Sequence, residues 1–122
     1  MNTIYIEGRL VREPEFNYIE KGESALAVIN MTLAENVYAG KNSNGETLTT
    51  PIYHRVVAYG DLAEKIANEY NQVGREYKIK GKMIPNNYEK EGKMIRQIKI
   101  KADCIENGRL SKKLREENKK AA

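Results

Sequence analysis

The sequence predicts an all-β fold, a five-stranded barrel with one helix, and three observations support this prediction. Most of the chain alternates apolar and polar residues, which is the pattern of strands with one buried face. One segment, residues 61–73, instead has apolar residues at the spacing of an amphipathic helix. The chain has 122 residues and is 40% hydrophobic, enough for one domain with its own core. We therefore expect one compact barrel and a terminal extension.

Two long strands are predicted in the first third of the chain. In the first, Ile4, Ile6 and Leu10 share one face, and Gly8 lies where a barrel strand could bend. Residues 16–19 could form a short strand before a turn at 21–23. A second long strand has apolar residues at alternate positions: Ala25, Ala27, Ile29, Met31 and Leu33.

A loop, a third strand and the helix follow. Residues 40–50 are polar and glycine-containing, which predicts a flexible loop, and residues 51–59 read as the third strand. Asp61 and Glu64 have the spacing of a capping box, and Gly74 is placed to end the helix. The apolar stripe of this helix contains Leu62, Ile66 and Tyr70.

The fourth and fifth predicted strands are strongly basic. On the fourth strand Tyr77, Ile79, Gly81 and Met83 alternate with Lys78, Lys80 and Lys82, and on the fifth strand Ile98, Ile100 and Ala102 alternate with Gln97, Lys99 and Lys101. Between them, residues 85–93 carry turn residues and predict a protruding hairpin. The alternation slips near residues 95–96, which indicates a bulge or twist there.

Five strands with one helix between the third and fourth is the element order of an OB-fold, a Greek-key barrel that often holds single strands of nucleic acid. We assign residues 1–106 to this domain. Residues 107–122 are different, because basic side chains dominate around Leu110 and Leu114. This segment is predicted to be a basic tail, either a marginal helix or disordered.

The distribution of charge favours a polyanionic partner. Residues 1–72 hold 6 Lys and Arg against 10 Asp and Glu, whereas residues 73–122 hold 15 against 7. A basic half can neutralise phosphates and release counterions, which gives salt-sensitive affinity. A merely solvated basic surface remains the alternative on charge alone.

The residues that could support catalysis or metal binding are few. His54 is the single histidine, and no Ser, Cys or carboxylate constellation accompanies it, so we expect no enzyme. Cys104 lacks partners for zinc and is expected to be a buried small apolar residue. No metal or cofactor is predicted. Residues 1–12 lack the features of a signal peptide, and no apolar run reaches the ~18 residues of a membrane span, so a cytoplasmic protein is expected.

Several fragments, in matching order and spacing, resemble the bacterial single-stranded DNA-binding protein family. They are residues 2–10, 13–15, 29–34, 53–64 and 80–82, and Tyr88 before Gly92. The run His54-Arg55-Val56-Val57 leading into Leu62-Ala63-Glu64 is the most specific of them. The resemblance covers residues 1–106. It implies an OB-fold homotetramer that coats single-stranded DNA without reading sequence during replication, recombination or repair, in the nucleoid; a dimer stays the alternative oligomeric state.

The resemblance also implies roles for particular residues. Tyr38, Tyr53, Tyr59 and Tyr88 match the stacking aromatics of the family. His54 matches a residue near the subunit interface, where Tyr5 is a second candidate. Strand parity, rather than the resemblance, assigns phosphate contacts to basic residues whose alternative is a surface ion pair or the solvated side of the barrel: Arg55, Lys78, Lys80, Lys82, Lys99 and Lys101. The structural alternative for a strand tyrosine is packing, which we expect for Tyr5, Tyr70 and Tyr77.

One departure from the family concerns partners. Typical members end in an acidic tip that recruits replication and repair proteins, whereas this chain ends in Lys119-Lys120-Ala121-Ala122. Recruitment of such proteins therefore cannot be transferred. Two other functions stay open: an OB-fold adaptor of the primosome type, which docks replication proteins, and an RNA-binding OB module.

Overall fold

The computed structural model describes residues 1–108, with the backbone alone at Lys21. This part of the chain forms eight strands and one helix. They are β1 (Ile4–Leu10), β2 (Glu15–Lys21), β3 (Ser24–Lys41), β4 (Thr47–Tyr59), α1 (Asp61–Glu69), β5 (Glu76–Pro85), β6 (Tyr88–Lys90), β7 (Lys93–Ile95) and β8 (Ile98–Asn107). β1, β3, β4, β5 and β8 are the five predicted long strands. The predicted tail lies outside the described residues from position 109 onward.

The strands form a sheet that curls toward a ring. Its order is β1-β5-β8-β4-β3-β2, and β1 also pairs with β3 through Arg9 and Leu10, which brings the sheet back on itself. β4 and β8 pair in parallel at Val56 and Val57, whereas the other pairs are antiparallel. β6 and β7 form a separate hairpin between β5 and β8, as the turn residues predicted.

The core follows from the alternation in sequence. Side chains at every second position of the long strands point into the ring, and Ile66 of α1 covers it from one end. The largest fully buried side chains are Tyr77, Leu10, Ile29, Leu33, Ile66, Ile79 and Val56. Burial of each such side chain contributes about 1.5–3 kcal/mol of hydrophobic free energy.

The helix was predicted correctly in position but not in its start or length. Gly60, with φ 66°, is the N-cap residue, and no side chain caps the helix. The predicted capping box at Asp61 is therefore wrong, because Asp61 already lies in the first turn. The negative charges of Asp61 and Glu64 in that turn interact favourably with the helix dipole. The helix ends at Glu69, five residues before Gly74.

The loop between β3 and β4 is shorter than predicted. β3 continues to Lys41 and β4 begins at Thr47, so the connection spans only residues 42–46. The Asn42 side chain accepts hydrogen bonds from the backbone N–H groups of Asn44 and Glu46, which closes this turn. The two strands consequently form a long hairpin that carries Tyr38 within a strand.

A register shift in β8 overturns the expectation for Cys104. β5 and β8 shift register between Lys80 and Gly81, which leaves Asp103 as the extra residue of a bulge. Because the bulge reverses the alternation, Ile105 is buried and Cys104 is exposed. The prediction that Cys104 is a buried apolar residue is wrong.

Of the three tyrosines expected to pack into the core, two do so and one does not. Tyr77 is 1% exposed, and its hydroxyl accepts a hydrogen bond from the backbone N–H of Gln72. Tyr70 packs against the same core and makes an edge-to-face contact with Tyr77. Tyr5 is 72% exposed on the outer face of β1, so its predicted packing role is wrong within this chain. Within residues 1–108, no helix is long and apolar enough to cross a membrane.

Candidate nucleic-acid interface

The outer face of β3 and β4 presents three of the four predicted stacking tyrosines. On β4, Tyr53 and Tyr59 are exposed on the same face as Arg55, as their even spacing predicted. Tyr38 of β3 is 67% exposed and lies opposite Thr49, four residues before Tyr53 on β4. At a rise of about 3.3 Å per residue, the row from Tyr38 to Tyr59 is about 33 Å long.

The fourth tyrosine, Tyr88, reaches this surface through Gln97. Arg55 Nη1 donates a hydrogen bond of 2.9 Å to Gln97 Oε1, and Gln97 Nε2 donates one of 3.4 Å to the Tyr88 hydroxyl. The backbone N–H of Asn86 donates to the Gln97 carbonyl at 2.8 Å, which closes the base of the hairpin. Gln97 thus links the hairpin to β4. The sequence pattern placed Gln97 only on a polar face and gave no sign of this link.

Two predicted cations lie beside the tyrosine row. Lys101 Nζ is 6.0 Å from the centre of the Tyr59 ring, within range of a cation–π contact. Lys82 is paired with Lys101 across β5 and β8 and is exposed. A base stacked near Tyr59 would therefore have positive charge at hand for its phosphate.

Lys99 completes this basic side of the barrel. It is half-buried, and its Nζ donates to Asn30 Oδ1 at 3.4 Å. Four of the six cations predicted to contact phosphate therefore lie on β4 or on the two strands that follow it in the sheet, β8 and β5. They are Arg55, Lys82, Lys99 and Lys101.

The other two, Lys78 and Lys80, lie in a different setting. Their partners on β8 are Glu106 and Cys104, and Lys80 Nζ is 5.9 Å from the ring centre of Tyr5 on β1. A pocket of about 540 Å³ on the outer face of β1, β5 and β8 is lined by these two lysines, by Glu106 and Cys104, and by Tyr5. The structure therefore groups Lys78 and Lys80 with the candidate assembly residue Tyr5.

His54 is half-buried at the rim of the barrel. Its Nε2 lies 3.1 Å from Glu35 Oε2, and its backbone partner on β3 is Leu33. This contact fixes the imidazole on the barrel side of β4. Its predicted interface role stays a prediction. In residues 1–108 no cluster of three His, Cys, Asp or Glu side chains is placed to hold a metal ion.

Sequence comparison links the chain to one family. The model described as "Single-strand binding protein family" matches residues 1–107. A protein of Aquifex aeolicus called single-stranded DNA-binding protein is 34% identical over 105 residues, covering 86% of this chain and 68% of that protein. A protein of Fusobacterium nucleatum with the same name is 31% identical over 108 residues, covering 88% of this chain and 67% of that protein.

Structural comparison agrees at the level of the fold. The wild-type single-stranded DNA binding protein of Thermus aquaticus and a deletion variant of it both superpose with a TM-score of 0.69, at 24% and 23% identity. Each match covers 89% of this chain, which spans about half of the matched Thermus chains, 50% and 51%. The OB-fold prediction is confirmed by this similarity.

Proposed function

The chain belongs to the single-strand binding protein family, and on that premise we propose that it binds and protects single-stranded DNA without reading its sequence. It is a binding protein and not an enzyme. Single-stranded DNA arises during replication, recombination and repair, so the proposed place of action is the cytoplasmic nucleoid. The family match supports the substrate class, whereas the assignment of individual residues rests on the geometry of the barrel surface.

The assignment of the DNA-binding site depends on one observation, the row of exposed tyrosines on β3 and β4. Single exposed aromatic side chains are normal on a protein surface, whereas several on one face are typical of an interaction site. Tyr38 is 67% and Tyr53 62% exposed, and Tyr59 and Tyr88 are exposed too. Any base can stack on a phenol ring, and such stacking contributes about 1–3 kcal/mol per base, independent of sequence. The row is thus suited to unpaired bases of any identity.

Cations beside the row supply the phosphate contacts in this proposal. Lys101 lies over the Tyr59 ring, Arg55 lies between Tyr53 and Tyr59 along β4, and Lys99 and Lys82 lie on the adjoining strands β8 and β5. Duplex DNA keeps its bases paired and stacked internally, so the row offers it no comparable contact. Selectivity for single strands then follows from the tyrosines, and salt sensitivity follows from the cations.

Self-association is the second part of the proposal. Exposed Tyr5 and the pocket it shares with Lys78 and Lys80 give β1, β5 and β8 an outer face that a second copy could cover. His54 stands at the rim of the barrel beside Glu35. We expect a homotetramer, and light scattering should give a mass near four chains of 13.9 kDa. A mass of two chains would instead favour the dimeric adaptor.

Titration with oligonucleotides tests the function. The chain has eight Tyr and no Trp, so quenching of tyrosine fluorescence reports directly on the rings. We expect oligo-dT and a mixed-sequence strand to bind alike, duplex DNA of the same length to bind far more weakly, and affinity to fall with salt. Competition with RNA of the same sequence separates DNA binding from the RNA-binding alternative. Equal or tighter binding of duplex DNA would contradict the proposal.

A further inference from the structure

A pocket of about 310 Å³ opens between the β1–β2 connection and the outer face of β3, beside the tyrosine row. Its charged and polar lining residues are Arg12, Glu13, Glu15, Asn30, Thr32, Arg55 and Lys99. Thr32 is paired with Arg55 across β3 and β4, so the pocket adjoins the centre of the row. The sequence pattern made Arg12 only a weaker candidate for a phosphate contact and pointed to no site at Asn30 or Thr32.

The three cations of this pocket are each held by a neutral oxygen. Arg12 Nη2 donates to Thr32 Oγ1 at 3.2 Å, and Lys99 Nζ donates to Asn30 Oδ1 at 3.4 Å. The third, Arg55, donates to Gln97 Oε1. A neutral acceptor restrains a long basic side chain but leaves its positive charge in place. A carboxylate acceptor would restrain the side chain and also neutralise its charge.

This arrangement matters for anion binding. A flexible cation loses rotamer freedom when it closes on an anion, at a cost of about 0.5–1.5 kcal/mol for each immobilised side chain. Restraint by Thr32, Asn30 and Gln97 meets part of that cost before the anion arrives. Glu13 and Glu15 line the same pocket, yet the hydrogen bonds of the three cations go to neutral groups. The pocket is therefore prepared for an anion that enters among the cations.

We infer that this pocket binds a phosphate group of the single-stranded DNA, with Arg12 and Lys99 as its charged contacts. The inference rests on the proposed function and adds to it the direction in which the bound strand runs across the barrel. The bound strand leaves the tyrosine row at Arg55 and crosses β3 toward the β1–β2 connection. Arg12 and Lys99 lie on opposite sides of β3 and β4 in the sheet order, so a phosphate between them must lie across the two strands.

The test is the salt dependence of oligo-dT affinity. Each phosphate contact with a single strand adds about 0.7 to the slope of log K against log salt. Because the two cations contact one phosphate, Arg12→Gln and Lys99→Gln together should lower the slope by about 0.7, and each single change should lower it by part of that amount. Between about 50 and 200 mM salt the double variant should then lose about 2.6-fold less affinity than the parent chain. Arg12→Lys should keep the parent slope, because it keeps the charge.

Two controls separate this pocket from general electrostatics. Lys65→Gln removes a cation from α1 and should leave the slope unchanged. Asn30→Asp should act like Lys99→Gln, because the new carboxylate pairs with Lys99, whereas Asn17→Asp on exposed β2 adds the same charge elsewhere and should not. All five positions lie at the surface or its edge, and circular dichroism verifies folding.

The outcomes also separate this inference from the proposed function. If the parent chain binds oligo-dT and the slopes of Arg12→Gln and Lys99→Gln equal that of Lys65→Gln, the pocket does not bind phosphate. If the parent chain fails to bind oligo-dT at all, the proposed function fails first.

Discussion

Replacing Tyr53 and Tyr88 together by alanine should weaken oligo-dT binding between about 30-fold and about 20,000-fold, because two stacked bases contribute about 2–6 kcal/mol. Both rings are exposed, so their removal leaves no cavity in the core. The thermal midpoint should therefore stay within a few degrees of the parent value. Fluorescence anisotropy of a labelled oligo-dT measures the affinity, and circular dichroism measures the midpoint.

The matched control for this double variant is Tyr18→Ala. Tyr18 is 57% exposed on β2, comparable to Tyr53 at 62%, but its hydroxyl bonds to Glu64 of α1 and it contacts Phe16 edge to face. Its loss should leave oligo-dT affinity within about twofold, since surface changes away from a site are usually within about 0.5 kcal/mol. An unchanged affinity in Tyr53→Ala/Tyr88→Ala would remove the assignment of these rings.

The second large effect concerns stability and arises at Gly81. A Cβ atom at this position would overlap the carbonyl oxygen of Lys101 and lie 2.9 Å from its carbonyl carbon. These are backbone atoms of the neighbouring strand, so β5 and β8 must separate locally to admit even a methyl group. Gly81→Ala should destabilise the fold by about 3 kcal/mol or more, the upper range of overpacking. The thermal midpoint should fall by more than about 10 °C.

Gly45→Ala provides the contrast. Gly45 lies in the β3–β4 turn with φ 78°, and no atom of the described residues would lie within 4 Å of an added Cβ. Alanine there meets only the left-handed backbone penalty, about 1–2 kcal/mol. A midpoint for Gly81→Ala no lower than that of Gly45→Ala would show that β8 does not approach β5 this closely.

Most of the fold could be predicted because one physical pattern repeats along it. Alternation identified the inward faces of the five long strands, and Ile66 marked the buried side of the helix. The errors occur where the backbone departs from regular geometry. No feature of the local sequence indicates that Gly81 lies against Lys101 or that Asp103 is the extra residue of a bulge. The exposure of Cys104 therefore could not be predicted.

The site was predictable to the extent that it lies on one strand. Tyr53, Arg55 and Tyr59 share a face by simple parity, and the structure keeps them exposed together. Parity distinguishes inside from outside but does not say which part of a closed barrel a residue faces. Lys78 and Lys80 were therefore grouped with the tyrosines, although the barrel places them beside Tyr5.

Links between distant segments lay beyond the sequence pattern. Gln97 joins Arg55 and Tyr88, which are separated by 33 positions, and Arg12 of the β1–β2 connection bonds to Thr32 of β3. Such contacts depend on how the strands curl, and they become visible only in three dimensions. In the proposed function, the same contacts would position the rings and cations for a bound strand.

The central claim is that unpaired bases lie on the tyrosines of β3, β4 and the β6–β7 hairpin. Ultraviolet crosslinking of an oligo-dT analogue that carries 5-iodouracil, followed by mass spectrometry, locates the aromatic rings in contact with bases. We predict crosslinks at Tyr38, Tyr53, Tyr59 and Tyr88. Crosslinks confined to Tyr5 and Tyr18, which are more exposed than Tyr59 and Tyr88 but lie on other strands, would contradict the account.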